Sequence, residues 1–357
     1  MAYGTVNADV IGTSVSGSNL GAGNATRFKN RIINGNCAID QRNAGASVTI
    51  TTDQQYTLDR WNCPITQASK FSVQQNAGSV TPPVGFINYL GVTSLSAYSV
   101  GSGDVFNIAQ NIEGLNIADL AWGTANAKTV TLSFQVYSSL TGTFGGVLRN
   151  SAGNRSYPFS YTVSSANTWT LISITIAGDT TGTWLTTNGV GIRVLFGLGC
   201  GSTYSGTAGS WSANTYYSST GAVSVVGTNG ATFYITGVQL EVGSSATGFE
   251  FVDATTQLAM CQRYFLTGLG QTWGQSFSGG SGVFGIVFPV AMRAGPSYSY
   301  SGSNISIDII GGAQATTNTY LNAAYNQSAG IVVGSLSVST FQPIGVASNN
   351  LIFSAEL

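Results

Sequence analysis

Apolar and polar residues alternate with a period of two along most of this chain. In the clearest case Val130, Leu132, Phe134 and Val136 are separated by Thr, Ser and Gln. This pattern predicts a strand that buries one face, and it recurs at 172–176, 190–196 and 305–309. Stretches of Gly, Ser, Thr and Asn separate these segments. Many short strands with such connections indicate an all-β protein built from antiparallel sandwiches or barrels.

The alternation changes phase at Gly237. The apolar positions before it are odd-numbered, at Phe233 and Ile235, whereas those after it are even-numbered, at Val238 and Leu240. One extra residue in a strand moves every later side chain to the other face. The sequence therefore predicts a β-bulge at Gly237.

One segment follows a helical period instead. Leu258, Cys261 and Phe265 are spaced at i, i+3 and i+7, behind Asp253, which can accept hydrogen bonds at a helix start. This spacing predicts one amphipathic helix of about three turns. We take this helix as the junction between two β-rich domains. The chain then has three regions: an extended N-terminal arm at 1–30, a sandwich domain at 31–265 that closes with the helix, and a smaller C-terminal β domain at 266–357.

The N-terminal arm has too few apolar residues to fold alone. Two interpretations stay open for it, a floppy terminus or an attachment arm that a partner orders. The residues that would make the attachment are the first large apolar ones, namely Tyr3, Val6, Val10 and Ile11.

Composition narrows the choice of partners. Only 7% of the residues are charged and the net charge is −1, although hydrophobic residues make up 43%. The chain therefore folds, but it has no excess positive charge with which to hold nucleic acid or an anionic membrane. The start of the chain shows no secretory signal and no apolar run is long enough to span a membrane, so we expect synthesis in a cytoplasm and no membrane insertion. A nearly neutral sheet protein is prone to associate, which favours a homo-oligomer.

The chain contains few residues of the types that carry out catalysis. The chain has no histidine, which excludes histidine-based triads, dyads and metal ligands. Its four cysteines have no C-x-x-C spacing, so we expect free thiols, no metal site and no cofactor. Paired carboxylates would suffice for a glycosidase, and two groups are close in sequence. These are Asp104, Glu113 and Asp119, and Glu241, Glu250 and Asp253. Capping and ion pairing explain them more simply, so we expect no enzyme.

Aromatic residues offer a binding function, because sugars stack on Tyr and Trp rings and hydrogen-bond to Asn, Gln, Ser and Thr. Three tyrosines follow a predicted strand in a Gly/Ser-rich segment, and five more aromatic residues lie in the C-terminal domain. The candidate glycan-binding residues are Tyr204, Tyr216, Tyr217, Trp273, Tyr298, Tyr300, Tyr320 and Tyr325.

A set of ordered motifs resembles a module common in bacteriophage tail fibres and related virion proteins. The matching segments are RIINGN at 31–36, DQRN at 40–43, YTLDRW at 56–61, VTLSF at 130–134, Trp169, TGVQLEVG at 236–243, FE at 249–250, LAMCQRYF at 258–265 and FPVAMR at 288–293 followed by Pro296.

This resemblance implies a jelly-roll sandwich, loosely similar to carbohydrate-binding modules, in a homotrimeric fibre. It implies attachment to a phage tail or baseplate protein through the N-terminal arm, and a C-terminal tip that meets a host surface polysaccharide. It also implies that Trp61, Trp169 and Trp211 are packing residues. It supplies no catalytic residues. Two alternatives remain, a capsid-decorating head fibre without a receptor role and a glycan-degrading tailspike.

Overall fold

The computed structural model describes residues 28–269, 272–278, 281–300, 305–309, 312–316, 319–324, 328–334, 343–346 and 351–357. Contacts within the chain divide it into two units at Val252 and Asp253. This division places the helix with the second unit, whereas the boundary predicted at 265/266 places it with the first. The predicted attachment residues Tyr3, Val6, Val10 and Ile11 lie outside the described residues.

The first unit consists of strands joined by turns and short 3-10 helices. The strands are β1 (Val48–Thr49), β2 (Gln55–Tyr56), β3 (Trp61–Cys63), β4 (Phe71–Gln75), β5 (Leu90–Ser94), β6 (Val105–Glu113), β7 (Val130–Ser138), β8 (Gly142–Arg149), β9 (Ser156–Val163), β10 (Thr170–Ile176), β11 (Val190–Cys200), β12 (Ser205–Gly206), β13 (Ser218–Ser219) and β14 (Thr232–Val242).

Twelve of these strands form two six-stranded antiparallel sheets. Sheet A has the order β1-β4-β5-β14-β7-β10, and sheet B has the order β2-β3-β6-β11-β8-β9. The apolar faces of both sheets contribute to one hydrophobic core, which includes Phe134 from sheet A and Phe196 from sheet B, with ring centroids 5.0 Å apart. The fold is therefore an antiparallel sandwich, as the alternation predicts, and it is of the jelly-roll type that the resemblance implies.

The strand β14 contains the predicted bulge. Its pairing with β7 runs from Thr236 opposite Gln135 to Gln239 opposite Ser133, so β14 has one extra residue at this point. Gly237 has a φ of 62°, in the left-handed region that favours glycine. Ile235 and Val238 on either side of it are both fully buried. The bulge thus returns the apolar residues to the core after the phase change.

The motif at 31–36 is tied to both sheets. The amide of Arg31 donates to the carbonyl of Leu240 in sheet A over 2.9 Å. The side chain of Gln110 in sheet B accepts from the Ile33 amide and donates to the Ile33 carbonyl, at 2.8 and 2.9 Å. In the core, the indole of Trp61 donates to the Asn34 carbonyl over 3.1 Å. Trp61 is therefore a packing residue, as the resemblance implies.

The second unit begins with the helix α1 (Ala254–Gln262), where Asp253 accepts a hydrogen bond from the Thr256 amide over 3.0 Å, as predicted. The helix is shorter than predicted, because Phe265 is already in a strand. The strands that follow are β15 (Phe265–Leu266), β16 (Thr272–Ser278), β17 (Ser281–Val287), β18 (Ser297–Tyr300), β19 (Ile305–Ile309), β20 (Gly312–Thr316), β21 (Thr319–Ala324), β22 (Ser328–Gly334), β23 (Pro343–Val346) and β24 (Leu351–Ser354).

These strands form a three-stranded sheet with the order β15-β24-β18 and a seven-stranded sheet with the order β20-β19-β23-β16-β17-β22-β21, both antiparallel. Apart from the helix α1, the described elements of the smaller C-terminal unit are thus all strands. No disulfide joins the four cysteines, all of which lie in the described ranges. None of the helices in the described ranges is long and apolar enough to cross a membrane.

Candidate functional site

The outer face of sheet B carries the candidate site. Along β6, Phe106, Ile108 and Ile112 point into the core, so the residues between them lie on the opposite face. Antiparallel register aligns these outward residues into rows across the sheet. One row begins with the polar Asn62 and continues with the apolar residues Ala109, Leu195 and Val147. The next row contains Asn111, Arg193 and Arg149.

The segment 201–220, which we call the tyrosine loop, folds back over this outer face. Tyr216 and Tyr217 pack against the apolar patch of Ala109, Val147 and Leu195. The side chain of Asn107 donates to the Tyr217 carbonyl over 2.9 Å. The predicted residues Tyr204, Tyr216 and Tyr217 therefore lie on one surface, and the structure brings them together with the outer face of sheet B.

Two glycines let the tyrosine loop approach the sheet closely. A Cβ atom added to Gly145 would lie 2.3 Å from the Ser219 hydroxyl, and one added to Gly197 would lie 2.6 Å from the Ser218 hydroxyl. Any other residue at these positions would push the strand β13 away from the sheet. Two features therefore hold the tyrosine loop close to sheet B: the absence of a Cβ atom at Gly145 and Gly197, and the packing of the aromatic rings.

Tyr204 and Tyr217 form one wall of a cleft of about 110 Å³ at the edge of this face. Their ring centroids are 5.5 Å apart and the rings meet edge to face. Both residues are half-buried, so each ring keeps part of its surface open to solvent. The rest of the lining consists of the polar residues Asp53, Gln54 and Thr66 and the apolar residues Pro64, Ile65 and Val105. A cleft lined by both half-buried tyrosines and polar side chains is suited to a polar ligand with flat apolar faces.

Two arginines lie beside the tyrosine loop. The guanidinium of Arg149 stacks on the Tyr217 ring, with its carbon 4.2 Å from the ring centroid. Arg193 lies directly across the β11–β8 pair from Arg149. Burial, and then the neighbouring Arg149 charge, lower the pKa of Arg193, while Tyr217, Tyr56 and Asp53 act in the opposite direction. The positive charge at this point is thus poorly compensated.

Sequence reasoning did not select Arg149 or Arg193. A usable signal exists in β11, where Arg193 interrupts an apolar run at the position between Ile192 and Val194. Alternation places such a residue on the face opposite the core. The pairing of the two arginines could not be read from sequence, since it depends on the register between β11 and β8.

Most of the carboxylates that suggested a glycosidase have structural roles. Asp104 accepts hydrogen bonds from the Tyr98 hydroxyl at 2.8 Å, the Gly101 amide at 2.8 Å and the Thr66 hydroxyl at 3.0 Å. Burial alone would raise the pKa of the Asp104 carboxyl, but these hydrogen bonds hold it below its ordinary value. Asp104 therefore stays ionised and fully engaged by its neighbours.

Asp119, Glu241 and Glu250 also interact with groups of the protein itself. Asp119 pairs with Arg31 at 2.7 Å. Glu241 lies 4.0 Å from the Lys29 ammonium and accepts from the amide and hydroxyl of Thr247. Glu250 accepts from the Asn30 amide over 2.9 Å. No group of three or more acidic or cysteine side chains in the described ranges is arranged to hold a metal ion.

The tryptophans serve packing, as the resemblance implies. Trp211 contacts Trp122 and Trp184 edge to face, with centroids 5.3 and 5.4 Å away, and its indole donates to the Ala177 carbonyl over 2.8 Å. Trp169 packs on Tyr137 and donates to the Thr81 carbonyl over 2.9 Å. These indole N–H groups are all satisfied within the protein.

The predicted C-terminal aromatic residues are described to different extents. Tyr298 is half-buried in β18, and its ring centroid lies 5.8 Å from that of Phe353. Trp273, Tyr300 and Tyr320 lie in β16, β18 and β21, where only the backbone is described. Tyr325 lies outside the described residues. The predicted glycan-binding role of this group therefore stays a prediction.

No family model matches the chain, and none of the curated proteins matches it in sequence. Solved structures with similar folds include the enzymatically active domain of tailspike protein 4 from bacteriophage CBA120, at 12% identity over 60% of this chain and 22% of that one, with a TM-score of 0.33. A family 4 carbohydrate-binding module matches at 14% identity over 59% of this chain and 98% of the module, with a TM-score of 0.31.

A family 11 carbohydrate-binding module from Clostridium thermocellum, in complex with a β-1,3-1,4-mixed-linked tetrasaccharide, matches at 12% identity over 57% of this chain and 97% of the module, with a TM-score of 0.28. The chain thus spans about a fifth of the tailspike domain's length. These similarities concern the sandwich fold alone and assign no activity to this chain.

Proposed function

We propose that this protein binds a carbohydrate through the tyrosine loop and the adjoining outer face of sheet B. The observation that carries the proposal is that Tyr204 and Tyr217, whose rings are in contact, line the same cleft as the polar residues Asp53 and Thr66. Sugar rings present C–H faces to aromatic rings and hydroxyls to polar groups, which are the two surfaces that this cleft combines.

We further propose that the protein is a bacteriophage tail fibre protein that attaches to the tail through its N-terminal arm and binds a host surface polysaccharide. The ordered motifs between 31 and 296 support this role, because they resemble virion fibre modules in sequence. In this proposal the protein is synthesised in the host cytoplasm and acts in the virion tail as a homotrimer.

Binding without hydrolysis is part of the proposal. Support comes from the carboxylates, since Asp104, Asp119, Glu241 and Glu250 each accept hydrogen bonds or ion pairs from the protein itself. A glycosidase needs two carboxyl groups that face the same bond of the substrate, about 5–10 Å apart. The glycan-degrading tailspike is therefore the weaker alternative.

Host polysaccharide and intact particles provide the test. We expect the purified full-length protein to bind extracted surface polysaccharide of the host in calorimetry, and to release no reducing ends on prolonged incubation. Release of reducing ends would show that the protein hydrolyses the polysaccharide, which would favour the glycan-degrading tailspike. We expect cryo-electron microscopy of the particle to place the protein on the tail, whereas density on the capsid together with no polysaccharide binding would favour the head-fibre alternative.

A further inference from the structure

Three N–H groups of the two guanidinium groups on the outer face of sheet B lack hydrogen-bond acceptors within the described part of the chain. The Nε and Nη1 atoms of Arg149 and the Nε atom of Arg193 are buried and have no acceptor among the described residues. Arg149 is only 5% exposed. Buried arginine groups are normally satisfied by carboxylates or carbonyls, because an unpaired buried cation is costly. The site therefore contains guanidinium N–H groups that no acceptor among the described residues satisfies.

The arrangement of the pair adds to this cost. Side chains directly opposite each other on an antiparallel pair have Cβ atoms about 4.5–5.5 Å apart, and like charges there are destabilising. Arg193 and Arg149 occupy such opposed positions. The lowered pKa of Arg193 agrees with the geometry, since burial and Arg149 both disfavour its charged form. An anion held between the two groups would remove the repulsion and supply the missing acceptors.

Two further amide side chains on this face have atoms without hydrogen-bond partners among the described residues. Asn62 and Asn107 lie on the same face and are fully buried, and Asn62 has neither an acceptor for its Nδ2 atom nor a donor for its Oδ1 atom among the described residues. The Oδ1 atom of Asn107 also lacks a donor there, although its Nδ2 atom holds the Tyr217 carbonyl. Amides and guanidinium groups together suit a ligand that carries both hydroxyls and an oxyanion.

The position of the pair relative to the tyrosines connects it to the proposed sugar site. Arg149 stacks on Tyr217, and Tyr217 is also part of the cleft wall with Tyr204. A glycan on the outer surface of Tyr217 would therefore lie next to the arginines. Arg193 is half-buried and provides the more open of the two guanidinium groups.

We propose that Arg149 and Arg193 form an oxyanion subsite, so that the glycan bound by this protein is acidic and carries a carboxylate or a phosphate group. This inference rests on the proposed carbohydrate binding, which it deepens by naming the class of sugar. Guanidinium groups hold carboxylate and phosphate oxygens in paired hydrogen bonds, which neutral sugars cannot provide.

The test uses the intact protein and a panel of oligosaccharides of equal length. The panel contains oligogalacturonates, their methyl esters, glycerol-phosphate oligomers and neutral galactans, with affinities measured by calorimetry. We expect binding of acidic oligosaccharides and at least about a tenfold loss on esterification of a bound oligogalacturonate. Preference for glycerol phosphate over galacturonate would assign the oxyanion as phosphate. Binding of neutral oligosaccharides alone would overturn the acidic subsite but leave carbohydrate binding intact, and no binding by any member would overturn both.

Variants distinguish a specific oxyanion subsite from a general effect of positive charge on binding. Arg193→Gln should lower the affinity for the acidic ligand about tenfold and flatten its salt dependence, and Arg193→Lys should restore part of it, since lysine keeps the charge but loses the paired geometry. Lys128→Gln, which removes an exposed positive charge elsewhere, serves as the control and should bind like the wild type. Without ligand, Arg193→Gln should melt at the same or a higher temperature because it removes the repulsion. Unchanged affinity in a folded Arg193→Gln protein would overturn the subsite.

Discussion

The backbone amide of Tyr217 donates a hydrogen bond to the carbonyl of Tyr204 over 2.8 Å, and the two rings meet edge to face. Twelve residues lie between them, so this contact closes the tyrosine loop on itself. The loop is held a second time by Asn107, which donates to the Tyr217 carbonyl. Hydrogen bonds to the backbone of Tyr204 and Tyr217 therefore set the ring positions. Ligand binding then has little conformational entropy to lose in ordering these residues.

Removal of one cleft ring should weaken carbohydrate binding with little effect on folding. We expect Tyr204→Ala to lower the affinity for a bound glycan about three- to tenfold, because it removes a stacking surface worth about 0.5–1.5 kcal/mol. Tyr137→Ala is the matched control, since Tyr137 belongs to sheet A and stacks on Tyr234 with centroids 5.3 Å apart. It should lower the melting temperature and leave the affinity unchanged. Equal affinity of Tyr204→Ala and wild type in calorimetry would contradict the proposed cleft.

Local alternation predicted much of the sandwich because the buried face of a strand depends on the strand's own residues. The strands β7 and β11 and the bulge at Gly237 all followed from it. The predicted end of the helix was wrong, since the apolar period continued to Phe265 although the helix ends at Gln262. An apolar Phe265 fits both a helix and a strand. It lies in a strand because it pairs with Ser354 in β24, a contact distant in sequence.

The candidate site was less predictable. The tyrosines Tyr204 and Tyr217 could be selected by composition, but the surface beneath them could not. Leu195 is fully buried although it points away from the sandwich core, because the tyrosine loop covers it. Alternation alone describes such a residue as exposed. Where a Gly/Ser-rich loop packs depends on contacts distant in sequence, which no local pattern contains.

The ion pair between Arg155 and Asp179 should contribute to stability. The guanidinium donates to both carboxylate oxygens at 2.7 Å, and Asp179 is almost fully buried. We expect Asp179→Asn to lower the free energy of unfolding by about 2–3 kcal/mol, between the values for exposed and buried pairs. Asp119→Asn breaks a pair of the same length whose aspartate side chain is 46% exposed, and it should cost less than about 1 kcal/mol. Chemical denaturation tests this, and similar losses in both variants would contradict the role of burial.

Stability should fall as the solution becomes acidic. Burial alone would raise the pKa of the Asp179 carboxyl, but Arg155 and Thr181 hold it below its ordinary value, and Asp104 is lowered by its own hydrogen bonds. A carboxyl with a depressed pKa in the folded state contributes stability above its unfolded pKa of about 4 and loses it as the pH falls through the folded value. We therefore expect the melting temperature to decline below about pH 4. Asp179→Asn should show a shallower decline, and an identical pH profile would contradict this assignment.

Alanine at the bulge should be more harmful than alanine at an open turn. A Cβ atom at Gly237 would lie 2.6 Å from the Phe86 ring, whereas one at Gly230 would meet nothing within 4 Å. Both glycines have positive φ, at 62° and 74°, so both substitutions carry a similar backbone cost of about 1 kcal/mol. We expect Gly237→Ala to lose about 1–3 kcal/mol more than Gly230→Ala, owing to the clash. Equal losses in denaturant titrations would show that Phe86 moves aside freely.

An exposed apolar cluster predicts self-association. Phe86, Phe249 and Phe251 form mutual ring contacts at 4.9–5.4 Å, and Phe251 and the nearby Ile87 are 60% and 80% exposed. Clustered exposed aromatic residues usually mark a contact surface. We expect light scattering to give three times the chain mass of 36.8 kDa for the wild type, and Phe251→Ser to shift the distribution toward monomer.

Leu171→Ser is the control for this variant, since Leu171 is a similarly exposed apolar residue on β10, outside the cluster. It should leave the association unchanged, because a single exposed leucine has no apolar neighbours to bury with it. A monomeric wild type at working concentration would contradict the trimer. A trimer that persists in Phe251→Ser would instead locate the subunit contacts away from this cluster.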